Sequence, residues 1–278
     1  MKLNSYKVQL SRVHEGCRDI FNLPRVNYDA LLDTLRFPLL WVNDSYLGGY
    51  LPVETEYSLL RWLDELPQDV DLEKLPPARV AQLRRLNLVS SPSRPPLEAL
   101  RASMDQQGHV KLPQLLPRGW CKAMMPGYYW RNEHLIERWK DLEGVKRTSV
   151  NNIPLMRLVH QLVEPLAQKL VADEIKTSYS FISAYETGST LPAHTDRPQC
   201  VYNISLILYA VPDVSLAGWP LFIKHDDVVT GVPLEIGDGV MYSGTRDLHW
   251  RDAMPPSLRN VLGVFMHFVL KDFQGTLD

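Results

Sequence analysis

His194-Thr195-Asp196 is where residue types and spacing first suggest chemistry. In an extended segment residues i and i+2 project to one side, so an imidazole and a carboxylate there can take adjacent vertices around one metal ion. Taken alone, a His-x-Asp pair is common and usually ends as a hydrogen-bonded couple. His249, beyond the β-type run Val240–Tyr242 and a turn at Gly244, could be delivered by a distant strand as a third ligand. Two imidazoles and one carboxylate on one face suit Fe(II) and leave three positions open. A bidentate cosubstrate can take two of these and dioxygen the third. Arg259 heads the strongly β run Asn260–Met266. A guanidinium entering a barrel interior at that point needs an anion, and a dicarboxylate supplies one through a bidentate pair.

Other polar residues compete for these roles. Arg251 lies two residues past His249 and shares its side if the backbone stays extended. It reads equally as a partner for a substrate carboxylate, as a contact for the inner end of the cosubstrate, and as half of a salt bridge to Asp247 or Asp252. Trp219 and Trp250 can floor a substrate pocket or pack in the core. His225-Asp226-Asp227 sits in a polar turn near Gly231 and lacks a second histidine at matching spacing. His267 shares the strand parity of Arg259 and reads as a core histidine, while His160 belongs to a long helix. His14, His109 and His134 have no constellation around them. Cys17, Cys121 and Cys200 are far apart and odd in number, which argues against a disulfide scaffold and against a cysteine-based zinc knuckle.

The elements that must position these residues are of two kinds. From Ser178 onward, short β-type runs (Tyr179–Tyr185, Val201–Val211, Leu221–Ile223, Val240–Tyr242 and Val261–Leu270) are separated by Gly, Pro and Asp turns. Such spacing without intervening helices predicts an antiparallel sandwich or barrel of the jelly-roll kind. A helix over Pro154–Val171 precedes them, with Leu155, Leu158, Val159, Leu162, Leu166 and Leu170 on its apolar face and a kink expected at Pro165. Residues 116–150 hold Trp120, Tyr128, Tyr129, Trp130 and Trp139 without a clean period, and read as an irregular lid or as packing against the next domain.

Residues 1–115 read as mostly helical. Asn27 can cap a helix with Tyr28, Leu31, Leu32 and Leu35, stopped by Pro38; a second carries Leu59, Leu60, Leu63 and Leu66 up to Pro67; a third starts near Pro76-Pro77 with Val80, Leu83 and Leu86. The order loosely resembles small winged-helix modules, some of which bind peptides and some DNA. Ser90–Pro96 is the linker candidate, so the expectation is α+β: a helical N-terminal region over 1–115 and a β domain over 116–278.

Tyr185-Glu-Thr-Gly188-Ser-Thr-Leu191-Pro-Ala-His194-Thr-Asp196, followed by Gly237-Asp238, Tyr242-x-Gly244, His249 and Arg259, resembles the Fe(II)/2-oxoglutarate-dependent dioxygenases, near their prolyl-hydroxylase-like branch. The resemblance covers about residues 150–270 and implies a double-stranded β-helix (jelly roll) buttressed by the long helix. It implies that His194, Asp196 and His249 bind iron, that Arg259 pairs with the far carboxylate of 2-oxoglutarate, and that the Tyr185 phenol contacts the cosubstrate. The implied chemistry is oxidative decarboxylation of 2-oxoglutarate by dioxygen, coupled to hydroxylation of an unactivated C–H bond.

Composition narrows the setting and the substrate. With 30 Lys+Arg against 32 Asp+Glu and a formal net charge of −2, the chain lacks the basic excess that nucleic-acid phosphates recruit. Its apolar stretches fall short of a bilayer span, and its first residues lack a secretory pattern, so a cytoplasmic protein without a membrane partner is expected. The substrate expected first is an amino-acid side chain in a peptide or protein; a free amino acid or small natural-product intermediate comes second. The reading from a different class is a non-catalytic jelly-roll binding protein, in which His194 and Asp196 merely pair.

Overall fold

The computed structural model describes residues 6–9, 39–55, 57–67, 69–86, 88–89, 93–122, 137–139 and 147–277. The helix expected after Asn27, the aromatic cluster Tyr128–Trp130, Cys17, His14 and His134 lie outside the described residues. The chain forms two compact units, residues 1–92 with 117–132, and residues 93–116 with 133–278.

The first unit corrects the mostly helical reading of residues 1–115. Strands β1 (Tyr6–Gln9), β2 (Leu39–Asp44) and β3 (Gly49–Glu54) form an antiparallel sheet in that order. Leu40, Trp41, Val42, Leu47, Leu51 and Val53 are buried apolar residues of the hairpin. Its turn is built by Asp44, whose Oδ1 accepts the N–H groups of Tyr46 (3.0 Å) and Leu47 (3.2 Å). Gly48 follows at φ +71°, a conformation that a side chain resists. A search for helical period passes over such a stretch, because its signal is a turn between two β-rich runs. The second and third expected helices are present as α1 (Tyr57–Glu65) and α2 (Pro77–Arg85), with Leu59, Leu60, Leu63 and Leu83 buried.

The second unit opens with α3 (Leu97–Gln107), β4 (His109–Leu112), β5 (Glu137–Trp139) and β6 (Arg147–Asn151). The long helix appears as α4 (Pro154–Leu170), with Pro165 inside it. It buries Leu155, Leu158, Val159, Leu162, Leu166 and Leu170, the face its spacing predicts.

Eight strands then divide equally between two sheets: β7 (Ile175–Glu186), β8 (Leu191–His194), β9 (Tyr202–Val211), β10 (Leu221–His225), β11 (Val228–Val232), β12 (Gly239–Ser243), β13 (Leu248–Arg251) and β14 (Asn260–Leu270). The larger sheet runs β4-β12-β9-β14-β7-β6-β5 and the smaller β11-β10-β13-β8. Every pairing among the eight is antiparallel. This is the expected jelly roll, and β14 and β9, buried along almost their whole length, form its centre.

The Gly237-Asp238 element of the sequence motif is a structural tie. Gly237 donates its N–H to Ile207 O (2.7 Å), and the buried Asp238 receives Gln114 N–H (2.9 Å) and Lys111 Nζ (3.0 Å), which anchors the segment after β4 to the start of β12. Among the described residues no helix is long and apolar enough to cross a membrane.

Candidate active site

The smaller sheet brings His194 and His249 together. In the β8–β13 pairing they stand directly opposite one another, and the register then shifts before Arg251 pairs with Leu191. Their ring centroids are 4.4 Å apart. Asp196 lies just past the end of β8, tied by its N–H to Gly244 O (2.8 Å). Its Oδ1 is 3.4 Å from His194 Nε2 and its Oδ2 is 3.6 Å from His249 Nε2. One donor atom from each of the three residues falls within 4.8 Å of the others.

The tautomers follow from the partners. His194 Nδ1 meets Pro192 O at 2.7 Å and His249 Nδ1 meets Asp247 O at 3.0 Å. A carbonyl only accepts, so each Nδ1 carries hydrogen, and whenever the ring is neutral it is Nε2, facing Asp196, that is left bare. This is how ligating histidines are held elsewhere, with the far nitrogen bonded to a carbonyl. Burial alone would raise the Asp196 carboxyl, but the contact with His194 and the nearby rings of His249 and His267 hold it below its ordinary range. Burial keeps His249 below its usual value, favouring the neutral ring.

The trio opens onto a cavity of about 450 Å³ whose walls include Arg147, Tyr179, Phe181, Arg197, Phe265 and His267. Phe181 stacks on Phe265 with centroids 4.7 Å apart, and Arg197 lies 4.8 Å above the Tyr179 ring. None of these six drew attention as a site residue in the sequence. Three are ordinary strand aromatics, and the two arginines sit outside any recognisable spacing. For His267 the only signal was its strand parity.

Tyr185, Trp219 and Arg251 come together in a second cluster and do not line that cavity. Trp219 packs edge-on to Tyr185 at 5.3 Å, and the Arg251 guanidinium lies 4.5 Å from the Trp219 ring centroid, its NH1 donating to Trp219 O (2.8 Å). Arg251 is 3% exposed, and no carboxylate of the described residues pairs with it. The salt bridge considered for it is therefore not formed: Asp247 takes His225 at 2.9 Å, and Asp252 is exposed. Burial lowers the Arg251 guanidinium below its ordinary value, while the Tyr185 and Tyr242 hydroxyls work against that shift. Tyr242 connects the two clusters, its ring 4.7 Å from His249. Tyr185 also receives Arg147 NH1 on its hydroxyl (3.3 Å).

Arg259 stands apart. Its side chain is exposed and its backbone N–H donates to Val211 O (2.7 Å), so the guanidinium does not enter the barrel interior as expected of the residue heading the last β run. The strand begins only at Asn260, and alternation cannot be carried back across its end. The competing His225-Asp226-Asp227 group is a set of ion pairs, with His225 on Asp247 and Asp226 on Arg246 (2.9 Å), and it does not converge. Trp250 stacks on Phe222 at 5.4 Å.

No protein-family model matches the chain, and neither does any curated protein. Solved structures do. A prolyl-4-hydroxylase from Pseudomonas putida superposes with a TM-score of 0.51 at 16% identity over 63% of this chain and 100% of its own. A prolyl hydroxylase from Trichoplax adhaerens, solved with a peptide of hypoxia inducible factor, gives 0.50 at 9% identity over 70% and 94%. The non-heme α-ketoglutarate-dependent epimerase SnoN of nogalamycin biosynthesis gives 0.50 at 17% identity over 61% and 81%. The likeness establishes the fold, the jelly roll shared by the iron/2-oxoglutarate oxygenases.

Proposed function

We propose that this chain is an Fe(II)- and 2-oxoglutarate-dependent dioxygenase whose iron ligands are His194, Asp196 and His249. The observation that carries this reading is the convergence of two Nε2 lone pairs and one carboxylate at the wall of a cavity, each imidazole pinned through its other nitrogen. The donor set fits the metal, since two neutral nitrogens and one anion on one face leave the remaining positions free. Bound there, iron supplies the coupling of 2-oxoglutarate decarboxylation by dioxygen to oxidation of a substrate C–H bond.

The chain's own residues bind, orient and exclude water. Arg251 is assigned to the distal carboxylate of 2-oxoglutarate, because a buried guanidinium without an acidic partner is costly until an anion joins it. Trp219 holds the guanidinium against its ring, and the Tyr185 and Tyr242 hydroxyls lie within electrostatic reach of it. The aromatic wall of Tyr179, Phe181 and Phe265 keeps water from the reacting bond.

For the substrate, an amino-acid side chain in a peptide or protein is the first reading, supported by the likeness to a prolyl hydroxylase solved with its peptide. A free amino acid or small natural-product intermediate is the second, favoured by a cavity of about 450 Å³ that takes such a molecule whole. A cytoplasmic setting goes with this reading, and it is consistent with the buried Cys200, whose thiol is not in a disulfide and is pushed up to about 11 by burial. The test is anaerobic addition of Fe(II) and then 2-oxoglutarate, which should give a weak visible charge-transfer band, followed in air by a mass-spectrometric screen of peptides and metabolites for a gain of one oxygen. No band and no succinate formation would leave a binding jelly roll and overturn the assignment.

A further inference from the structure

Asp196 is held less by its own segment than any other member of the trio. It lies outside regular structure, beyond the end of β8, and even its backbone N–H is tied to a distant segment, at Gly244 O. Its side chain is instead gripped from the larger sheet. Asn203, on β9 and 1% exposed, donates Nδ2 to Asp196 Oδ2, and Asn203 Oδ1 is bonded to Nδ1 of His267, on β14 and also buried.

The direction of this chain is forced. An ionised carboxylate only accepts, so Asn203 must turn its NH2 toward Asp196 and its carbonyl toward His267. His267 Nδ1 must then carry the hydrogen. The result is one line of donors, from His267 Nδ1–H to Asn203 Oδ1 and from Asn203 Nδ2–H to Asp196 Oδ2. It stops rotation of the carboxyl and leaves Oδ1, on the His194 side, as the oxygen without an amide on it.

Two further features serve the same line. A Cβ at Gly244 would fall 2.2 Å from Asn203 Nδ2 and 2.7 Å from Asp196 Oδ2, so the missing side chain at Gly244 is the space in which the amide and carboxylate meet. His267 sits where the β14–β7 register shifts between Met266 and Phe268. There Ser178 Oγ donates to His267 O (3.0 Å), and the Tyr179 and Phe181 rings flank the imidazole at 4.5 and 5.5 Å. A local shift of this sort re-aims one side chain without disturbing the rest of a strand. Asp196, Cys200 and His267 also come within 4.8 Å of one another, but the Asn203 amide already joins Asp196 to His267, so the set is a hydrogen-bond line and not a second metal site.

We propose that Asn203 and His267 are positioning residues that act through Asp196, setting how tightly the trio binds a divalent metal and with what ligand field. This rests on the reading of Asp196 as an iron ligand. The test uses the full chain with Co(II) as a spectroscopic stand-in, reading dissociation constant and visible d–d spectrum, with no turnover involved. Asn203→Ala and His267→Leu should each weaken Co(II) binding about 10- to 100-fold and shift the spectrum. His267→Asn, whose Nδ2 can replace the ring Nδ1–H, should restore binding to near the wild-type value. In the Asn203→Ala background, His267→Leu should add nothing further, since the line is already cut. Should His267→Leu not fold, Asn203→Ala and His267→Asn carry the test by themselves. Unchanged Co(II) affinity and spectrum in Asn203→Ala, or no rescue by His267→Asn in a folded protein, would overturn the proposal. Failure of the parent reading looks different: there, wild type and Asp196→Ala bind Co(II) equally poorly.

Discussion

The two polar clusters inside the barrel are built in opposite ways. In the trio, the far ring nitrogens of His194 and His249 each bond a backbone carbonyl and Asp196 Oδ2 takes the Asn203 amide, so the unused valence at its centre consists of lone pairs. Around Arg251 the partners are a carbonyl, a ring face and phenols, and the unused valence is positive charge. One cluster is short of a cation and the other of an anion. A fold does not bury a guanidinium without an acid for stability, because desolvation costs more than neutral partners return. On the proposed reading each cluster is completed by a ligand of opposite sign, and the contrast teaches that the Tyr242 ring lies between the two requirements.

The change that breaks the comparison most completely is Asp196→Ala. Removing the only carboxylate of the trio should abolish Fe(II) binding and 2-oxoglutarate turnover, while the half-buried position keeps the melting temperature of the metal-free protein within a few degrees. Metal content by elemental analysis and succinate release check it, and retained turnover at limiting iron removes Asp196 from the ligand set.

Arg251→Met should raise the apparent dissociation constant for 2-oxoglutarate by roughly one to two decades, the worth of a charged hydrogen-bonded pair of about 1.5–3 kcal/mol. Stability should stay level or rise, since the substitution removes a buried charge without an acidic partner. Titration of the iron-loaded protein with 2-oxoglutarate, set beside a urea melt of the metal-free protein, separates the two effects. A large loss of stability with unchanged affinity would return Arg251 to a purely structural role.

Acid should act on the metal side and leave the arginine side untouched. Burial lowers His267 to about 4 and His160, on α4 beside Phe268, to about 3. Between the free-histidine range near 6.5 and these values the unfolded chain binds protons that the folded chain refuses. Stability of the metal-free protein should therefore fall as pH drops from about 6.5, by up to about 1.4 kcal/mol per pH unit for each site. Urea midpoints between pH 6.5 and 5, above the carboxylate range, read it. His160→Phe should flatten the slope by one site, and a flat wild-type profile contradicts the expectation.

The smallest effect is assigned to Arg259→Ala. An exposed guanidinium at the head of β14 should change 2-oxoglutarate affinity by less than about twofold, and the same titration that finds Arg251 should pass over it. A decade of loss here, with none at Arg251, would exchange the two assignments.

The jelly roll was legible because its strands announce themselves by β-rich runs and turn residues, and the trio because His-x-Asp places two donors on one side of one strand end. Local rules did not reach the N-terminal hairpin over residues 39–54, where two short strands were overlooked beside stronger helical periods. They also misplaced Arg259, because it lies just before the strand it was expected to head and its side chain stays exposed. The Asn203–His267 line was invisible for a different reason. Its members come from three segments, Asp196 beyond β8, Asn203 on β9 and His267 on β14, and nothing in any one segment marks them as partners.

Short-range order was thus determined by the sequence itself: which stretches are extended, where the α4 helix buries its face, and which side chains at one strand end can share a metal. Those features depend on periodicity and turn chemistry, both encoded within a few residues. Only the tertiary structure decided which of two arginines is buried, which histidine is pinned to which carbonyl, and which amide orients Asp196. Each of these is a pairing across strands, fixed by sheet order, register and the single-residue shifts at His249 and His267. A shift of one residue turns a side chain from the interior to solvent, so no local pattern could have chosen between the alternatives.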